Sequence, residues 1–197
     1  MDANKILSTR GLNTLMFQDP YAKLCYNALL VSQFDNVTYI DLDTTFTAYF
    51  MAGFINAKQL NVYLPTEGRL GSTIKDALAS MPTSSLVIFD SVNSFYNLFK
   101  MSENNIGSLN HLLSILLMLL VRSAIDEGIP VLATSMLRYR KDQGWLQSPA
   151  SRRLLQHKSK VKLSIERQDN DLVLKILQHE LLPTGTEFVY KDSIIAV

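Results

Sequence analysis

Cysteine is almost absent from this chain of 197 residues, in which Cys25 is the single example. One cysteine excludes an internal disulfide framework and a cysteine-rich zinc site. Excess charge is also absent. The net charge is +1, so no overall field attracts nucleic acid or a membrane surface, and an electrostatic function must come from local clustering. With 47% hydrophobic and 19% charged residues, the composition is that of an ordinary globular chain, and we expect residues 1–197 to form a single domain.

A hydrophobic run long enough to cross a membrane is missing as well. The strongly apolar stretch Leu112–Val121 spans ten residues and is flanked by His111 and Arg122. A bilayer-spanning helix needs about 20 apolar residues, so this stretch predicts a helix buried against a sheet and no membrane partner. Because Met1–Lys5 also lacks the profile of a signal peptide, we expect a cytoplasmic protein, or one at the nucleoid or in the nucleus if it associates with DNA.

Histidine is scarce, and the sequence offers no metal-binding pattern. The three histidines, His111, His157 and His179, are scattered and have no carboxylate or cysteine partner at ligand spacing. We therefore expect no metal site.

An acidic residue ends one short apolar run. Leu86-Val87-Ile88-Phe89 closes in Asp90 and Ser91, which is how many nucleotide-hydrolysing α/β proteins place a carboxylate beside a magnesium ion. Such a carboxylate needs the glycine-rich G-x-x-x-x-G-K-[ST] loop, whose backbone N–H groups and lysine hold the phosphates. No segment of this chain matches that pattern. We therefore expect no catalysis at this position and no bound cofactor.

The periodicity of apolar residues predicts strands that alternate with helices. The predicted strands are Leu12–Phe17, Val37–Asp41, Leu60–Leu64, Leu86–Asp90, Ile129–Ser135, Lys160–Glu166, Leu172–Leu177 and Glu187–Tyr190. The predicted helices are Tyr21–Ser32, Thr45–Ile55, Leu70–Met81 and Leu109–Glu127. This alternation favours an α/β fold, with a mainly parallel sheet covered by helices on both faces. The last strands predict a C-terminal antiparallel hairpin extension.

The residues in this order resemble the core of the RecA/RadA/KaiC family of ATPases. The segment Tyr39–Phe46 follows the family pattern Tyr-Ile-Asp-x-Glu-x-x-Phe, with Asp43 where the family usually has its catalytic glutamate. Leu86–Ser91 resembles the Walker B strand. Val131–Ser135 resembles the strand that ends in a sensor residue beside the γ-phosphate, and Leu182–Gly185 resembles part of the closing hairpin. The resemblance implies a RecA-like three-layer fold.

The chain departs from the family at the catalytic centre. Where the family carries the phosphate loop, this chain has the short segment Phe17–Lys23 without glycine. Asp19 would repel a triphosphate, Pro20 removes a backbone donor, and Lys23 falls out of register inside the predicted helix. The resemblance therefore implies the fold without the reaction.

The acidic positions of the resembled site are interpreted accordingly. Asp90 and Ser91 are a vestigial Walker B pair, and Asp43 is a vestigial acidic position. We expect neighbouring N–H groups and Ser91 to satisfy the Asp90 carboxylate. Thr44 and Thr45 are expected to bond to Asp43 locally.

A basic segment is the candidate working surface. Eight of the 19 basic residues lie between Arg138 and Lys162. Tyr139 and Trp145 are interleaved with them, and cations together with aromatic faces are what single-strand binding uses. The residues predicted to contact nucleic acid are Arg138, Arg140, Lys141, Trp145, Arg152 and Arg153. A protein partner fits the same residues, and a solvated loop that keeps an edge strand soluble is the third interpretation.

A second candidate surface follows the Asp90 strand. Phe95, Tyr96 and Phe99 form a dense aromatic patch. Packing in the core is the default interpretation. If the patch is exposed, it predicts a protein interface.

These observations lead to a hypothesis and two alternatives. The hypothesis is a non-catalytic RecA-like paralogue that binds single- or double-stranded DNA, or regulates a RecA-like recombinase, in recombination or repair. The first alternative is a structural subunit of a ring or heteromeric assembly that binds protein or RNA, like the RecA-fold subunits of Elongator. The second is an atypical nucleotide-binding ATPase. Both the hypothesis and the first alternative imply a homo- or hetero-oligomer.

Overall fold

The computed structural model of the protein describes residues 5–99, 106–142, 144–147, 155 and 159–191. The strands are β1 (Leu12–Phe17), β2 (Val37–Asp41), β3 (Leu60–Tyr63), β4 (Leu86–Asp90), β5 (Val131–Arg140), β6 (Gly144–Gln147), β7 (Ser159–Gln168), β8 (Asp171–Gln178) and β9 (Glu187–Lys191). The α-helices are α1 (Pro20–Gln33), α2 (Thr45–Met51), α3 (Leu70–Ser80), α4 (Val92–Leu98) and α5 (Ile106–Asp126).

The strands form one sheet in the order β3-β2-β4-β5-β1-β7-β8-β9, with β6 paired to β5. The pairs from β3 through β7 are parallel, whereas β8 and β9 are added antiparallel. The predicted mainly parallel sheet with an antiparallel C-terminal extension is therefore confirmed. One detail differs from the prediction. The sequence predicts β7 as part of the antiparallel extension, whereas in the structure β7 pairs parallel with β1. Its apolar side chains, Val161, Leu163 and Ile165, are buried in the same core as β1, which makes β7 a continuation of the central sheet.

Two apolar clusters cover the two faces of the sheet. Helices α1 and α2 pack on one face, together with inward side chains from β1, β2, β7 and β8. Helices α3, α4 and α5 pack on the other face, over β2, β4 and β5. Strands β1, β2 and β4 are buried along their whole length, as expected for parallel strands covered on both faces.

Four elements differ from the sequence prediction for local reasons. Helix α2 stops at Met51 because the chain then turns through Gly53, whose φ of +81° suits glycine. Helix α4 is not predicted from the sequence, in which its aromatic residues indicate only an apolar patch. The helix begins after Ser91, whose hydroxyl accepts a hydrogen bond from the Ser94 N–H. Strand β5 runs to Arg140 rather than ending at Ser135, because β6 pairs with its outer half and forms an unpredicted hairpin.

Helix α5 is buried on one side and exposed on the other. By length and composition alone it could cross a bilayer, and it is the single such helix among the described residues. Its inward residues, Leu113, Leu117 and Leu120, are buried against the sheet. The predicted packing of this helix on the sheet is therefore confirmed for the inward side.

Adjacent leucines on α5 provide a matched test of this orientation. Leu120 is fully buried and Leu119 is 45% exposed. We expect Leu120→Ala to lower the free energy of unfolding by about 2–5 kcal/mol, because it leaves a cavity in the core. Leu119→Ala should cost well under half as much. Urea denaturation of dilute protein measures both changes, and equal losses would contradict the assigned orientation of the helix.

Candidate functional site

Three neighbouring strands bring polar side chains to one edge of the sheet. Asp41 ends β2 and Asp90 ends β4, and the two residues are direct neighbours in the parallel register. Thr134 lies on the next strand, β5. Parallel strands of an α/β sheet leave a crevice at their carboxyl ends, where such proteins generally bind ligands. This edge is therefore the place to look for a site.

The Asp90 carboxylate is completely buried and bonded on both oxygens. Its Oδ1 accepts hydrogen bonds from Lys23 Nζ at 2.9 Å and Thr134 Oγ1 at 2.6 Å. Its Oδ2 lies 2.8 Å from the same Nζ and accepts from Tyr39 OH at 2.6 Å and Asn27 Nδ2 at 3.3 Å. Donors from α1, β2 and β5 thus converge on one carboxylate.

The expected partners of Asp90 were wrong in part. The carboxylate is satisfied, as expected, but by side chains distant in sequence rather than by neighbouring N–H groups and Ser91. The Ser91 hydroxyl instead accepts from the Ser94 N–H and shares a hydrogen bond with the Ser94 hydroxyl. Ser91 is thereby committed to the start of α4.

Lys23 is the residue whose role the sequence prediction missed. It sits in the first turn of α1, is 3% exposed, and contacts Asp90 at 2.8 Å and Asp43 at 3.5 Å. Its register within the helix is the feature that turns the ammonium toward Asp90. The available signal was a lysine in the otherwise apolar stretch Ala22–Cys25, next to a buried strand ending in aspartate.

The electrostatics keep Lys23 charged. Burial lowers the pKa of Lys23, but the carboxylates of Asp90 and Asp43 outweigh burial, so the pKa lies above its ordinary value. A lysine whose pKa is higher in the folded state than in the unfolded state stabilises the fold at every pH below the ordinary lysine pKa. That contribution is lost as the pH rises through the raised pKa.

Asp43 joins this network from the loop after β2, with its side chain 30% exposed. Its Oδ1 accepts from the Thr45 N–H at 3.1 Å, as expected, and its Oδ2 accepts from Ser94 Oγ at 3.1 Å. Burial raises the pKa of Asp43, but the Lys23 ammonium and the bonds from Thr45 outweigh burial and hold the pKa below its ordinary value.

Asp41 is the third carboxylate of the site. Its Oδ2 accepts from the Thr47 N–H and hydroxyl at 2.9 and 2.7 Å. Burial raises its pKa, with a smaller contribution from the charges of Asp90 and Asp43. Among the described residues, Asp41, Asp43 and Asp90 form one group with ligand oxygens close enough to share a cation, all within 4.8 Å of one another. The Lys23 ammonium already supplies positive charge to two of them.

The start of α1 is also capped by a side chain of the protein itself. Only Gln18 and Asp19 separate β1 from α1. The Asp19 carboxylate accepts from the Tyr21 N–H at 2.9 Å and caps the helix. The free N–H groups of a helix start are what would bind a phosphate, and here a carboxylate lies against them.

The predicted basic surface is a hairpin rather than a loop in its first part. Strands β5 and β6 pair antiparallel, with Arg138 opposite Leu146, Tyr139 opposite Trp145 and Arg140 opposite Gly144. Arg138, Arg140 and Lys141 are exposed, as are Tyr139 at 62% and Trp145 at 45%. The hairpin projects from the carboxyl edge of the sheet, four residues beyond Thr134.

The basic and aromatic residues that alternate along the sequence lie on opposite faces of the β5–β6 hairpin. Residues two apart on a strand share a face, so Arg138 and Arg140 lie on one face of the hairpin. Tyr139 lies on the other face with its cross-strand partner Trp145, and their ring centroids are 5.5 Å apart. The hairpin therefore has a basic face and an aromatic face.

The rest of the basic segment does not join the hairpin as one described surface. Lys160 lies near the amino end of β7, at the opposite edge of the sheet, where its side chain is close to Gly11 and to Glu180. Arg152 and Arg153 lie outside the described residues, and their predicted contact with nucleic acid stays a prediction.

The aromatic patch after β4 is mostly core. Phe95 is fully buried, and its ring contacts Tyr96 at 5.8 Å and Phe99 at 5.1 Å. Phe95 cannot contact a partner in this fold, so its suggested place in an interface was wrong and the packing interpretation holds. Tyr96 and Phe99 are partly buried against the same cluster, and the Tyr96 hydroxyl donates to Asn110.

No family model matches this chain, and no curated protein matches it. Among solved structures, the chain is similar to the crystal structure of the RadB recombinase. The TM-score is 0.66, the match covers 98% of this chain and 94% of that one, and the sequence identity is 15%. At this identity the likeness shows the fold, which is RecA-like.

Replacing Lys23 tests how much its buried ammonium contributes to the stability of the fold. We expect Lys23→Met to lower the free energy of unfolding by about 3–5 kcal/mol, because it leaves the buried Asp90 carboxylate without a cation. The matched control is Lys58→Met, which breaks the ion pair between the exposed side chains of Lys58 and Asp35. That control should cost less than about 1 kcal/mol. Chemical denaturation near neutral pH measures both.

A double variant separates the ion pair from general packing. In Lys23→Met/Asp90→Asn the buried charge is gone, so the loss should be smaller than the sum of the two single losses. Additive losses, or a Lys23→Met variant as stable as the Lys58→Met control, would contradict the coupling between these side chains.

Proposed function

We propose that this protein is a non-catalytic RecA-fold accessory protein that binds single-stranded DNA through the β5–β6 hairpin and acts in recombination or repair. The proposal that the protein is not a catalyst is supported chiefly by the contact between Lys23 Nζ and Asp90 at 2.8 Å. The chain's own ammonium is bound to the carboxylate at which a magnesium–nucleotide complex would be expected.

Two further contacts support a site without nucleotide chemistry. Magnesium is bound by oxygen ligands with good geometry and usually several waters, whereas both oxygens of Asp90 are taken by buried donors. The Asp19 carboxylate at the start of α1 would also repel a phosphate. To bind a nucleotide, the protein would have to break a buried ion pair and displace a helix cap.

The hairpin supports the binding part of the proposal. Exposed arginines that neutralise phosphates give salt-dependent affinity for nucleic acid. Exposed aromatic rings add about 1–3 kcal/mol for each stacked base. Because the cations and the rings lie on opposite faces of the hairpin, a flexible single strand that wraps its edge can use both faces, and a rigid duplex cannot. This favours single-stranded over double-stranded DNA.

The setting in recombination is supported by fold analogy. The similar solved structure is described as a recombinase, and RecA-like folds serve many tasks. A RecA-like recombinase is accordingly the protein partner that we propose beside DNA.

Loss of the two hairpin arginines should weaken nucleic-acid binding. We expect Arg138→Ala/Arg140→Ala to reduce affinity for labelled single-stranded DNA and to lower the slope of log affinity against log salt by about 1.4, at roughly 0.7 per phosphate contact. Fluorescence anisotropy at several salt concentrations measures both. The control is Arg69→Ala/Lys75→Ala, which removes two exposed cations on or next to α3 and should leave binding unchanged.

The only tryptophan of the chain reports on the aromatic face. Trp145 should lose fluorescence as single-stranded DNA stacks on it, and Trp145→Ala should weaken binding by about 1–3 kcal/mol. If the arginine variant and its control bind alike, the hairpin is not the binding surface. If neither protein binds at low salt, the nucleic-acid proposal fails as a whole.

Nucleotide should not stabilise the protein. A ligand that binds only the folded state at 100 times its Kd raises the free energy of unfolding by about 2.7 kcal/mol. We expect no such rise with ATP and magnesium in thermal unfolding, because Lys23 and Asp19 occupy the positions that a nucleotide needs. A saturable rise would instead favour the atypical nucleotide-binding ATPase.

A structural subunit of a larger assembly is the second candidate function. The observation that favours it is the outer side of α5, where Ile115, Met118 and Ile125 are 40–55% exposed. Apolar side chains that cluster on one exposed surface commonly mark a protein interface.

A further inference from the structure

The β5–β6 hairpin is connected to the central sheet through a short length of β5. Strand β5 pairs with β1 as far as Met136, which lies opposite Phe17. Its pairing with β4 ends earlier, at Ala133. Beyond Met136, the described pairing of β5 is with β6 alone. Met136 is therefore the last residue of β5 that the central sheet holds, and the orientation of the hairpin is set there.

The exposed part of the hairpin contributes little to that orientation. Tyr139 is 62% exposed and Trp145 is 45% exposed, and Arg138 and Arg140 are exposed as well. Surface elements that bury little apolar area open easily when their few remaining contacts are lost. The contacts at the base of the hairpin therefore decide how it is held.

Asn93 makes the contact at the base of the hairpin on the side of β4. Its side-chain Oδ1 accepts a hydrogen bond from the Met136 N–H at 2.6 Å. Strand β4 has already ended at Asp90, so within the described structure the amide oxygen of Asn93 stands where the carbonyl of a longer β4 would lie. The Asn93 side chain thereby extends the hydrogen bonding of the sheet to the point where the hairpin begins.

Asn93 is well placed to act as a fixed acceptor. It lies in the first turn of α4, between Val92 and Phe95, whose side chains are fully buried. The Ser94 N–H donates to Ser91 Oγ at 3.1 Å and fixes the start of the helix. The backbone that carries the Asn93 side chain is therefore held by the core and by the helix cap together.

A second contact holds β5 just before the hairpin. Thr134 Oγ1 donates to Asp90 Oδ1 at 2.6 Å, two residues before Met136. This contact secures the strand inside the sheet and does not involve Asn93. Loss of the Asn93 acceptor should therefore loosen the hairpin and leave the central sheet in place.

We propose that Asn93 is a positioning residue for nucleic-acid binding, because its hydrogen bond to Met136 holds the β5–β6 hairpin in the orientation that single-stranded DNA contacts. The choice of ligand rests on the function proposed above, whereas the anchoring is a property of the protein without DNA. Asn93 acts through the hairpin and not by touching the nucleic acid.

An anchored hairpin favours binding because it is ordered in advance. A hairpin that sampled several orientations would lose that freedom on binding DNA, and the loss would lower the affinity. One hydrogen bond of this kind changes an equilibrium by about 2- to 10-fold. We expect the loss of the Asn93 acceptor to weaken binding by about that factor.

Hydrogen exchange measured by mass spectrometry tests the anchor in the protein without DNA. In Asn93→Ala, the amides of residues 137–140 and 144–147 should exchange about 2- to 10-fold faster than in the wild type. The matched control is Asn97→Ala, the same change one turn later on α4 at an exposed residue, and it should exchange like the wild type. Asn93→Asp keeps an oxygen acceptor and should restore slow exchange.

Two results of that experiment would overturn the proposal. Equal exchange in Asn93→Ala and Asn97→Ala would show that the hydrogen bond to Met136 does not hold the hairpin. Faster exchange in β1, β2 and β4 as well, or an Asn93→Ala variant that does not fold, would show that Asn93 supports the whole domain rather than the hairpin.

Fluorescence anisotropy with labelled single-stranded DNA separates the positioning role from the proposed function. We expect Asn93→Ala to bind about 2- to 10-fold more weakly than the wild type. The slope of log affinity against log salt should stay unchanged, because no cation is removed. Arg138→Ala/Arg140→Ala, in contrast, should lower that slope.

The two kinds of failure give different results. A wild-type protein that binds no DNA at low salt overturns the proposed function and, with it, the assignment of Asn93 to nucleic-acid binding. A wild-type protein that binds, together with Asn93→Ala binding equally well, overturns the positioning role alone and leaves the proposed function standing.

Discussion

The buried Asp90 carboxylate lies at the carboxyl edge of the sheet. The ammonium of Lys23, 2.8 Å away, compensates its charge there. Removing one partner of a buried ion pair leaves an uncompensated charge and costs about 3–5 kcal/mol. Lys23 comes from α1, while the other donors come from β2 and β5. This single carboxylate therefore connects the first helix with three strands of the central sheet.

This ion pair is the basis of the proposal that this RecA-like fold works without a nucleotide at its carboxyl edge. The edge collects carboxylates because Asp41 and Asp90 end adjacent strands. Some cation must compensate them, and Lys23 does so from within the chain. In the proposed function, a partner contacts this edge through the exposed β5–β6 hairpin, a few residues beyond Thr134.

The sequence by itself determined the alternation of elements, because the apolar periods of β1, β2 and β4 and of the main helices are local properties of the chain. The sequence also determined that acidic residues end two of the strands and can form a polar site there. The tertiary structure decided the rest. The Lys23–Asp90 pair joins residues far apart in sequence, Phe95 turned inward, β7 paired parallel with β1, and the hairpin placed its arginines and aromatic rings on opposite faces. Those outcomes depend on which elements become neighbours and which face each side chain takes, and neither is encoded within a short window of sequence.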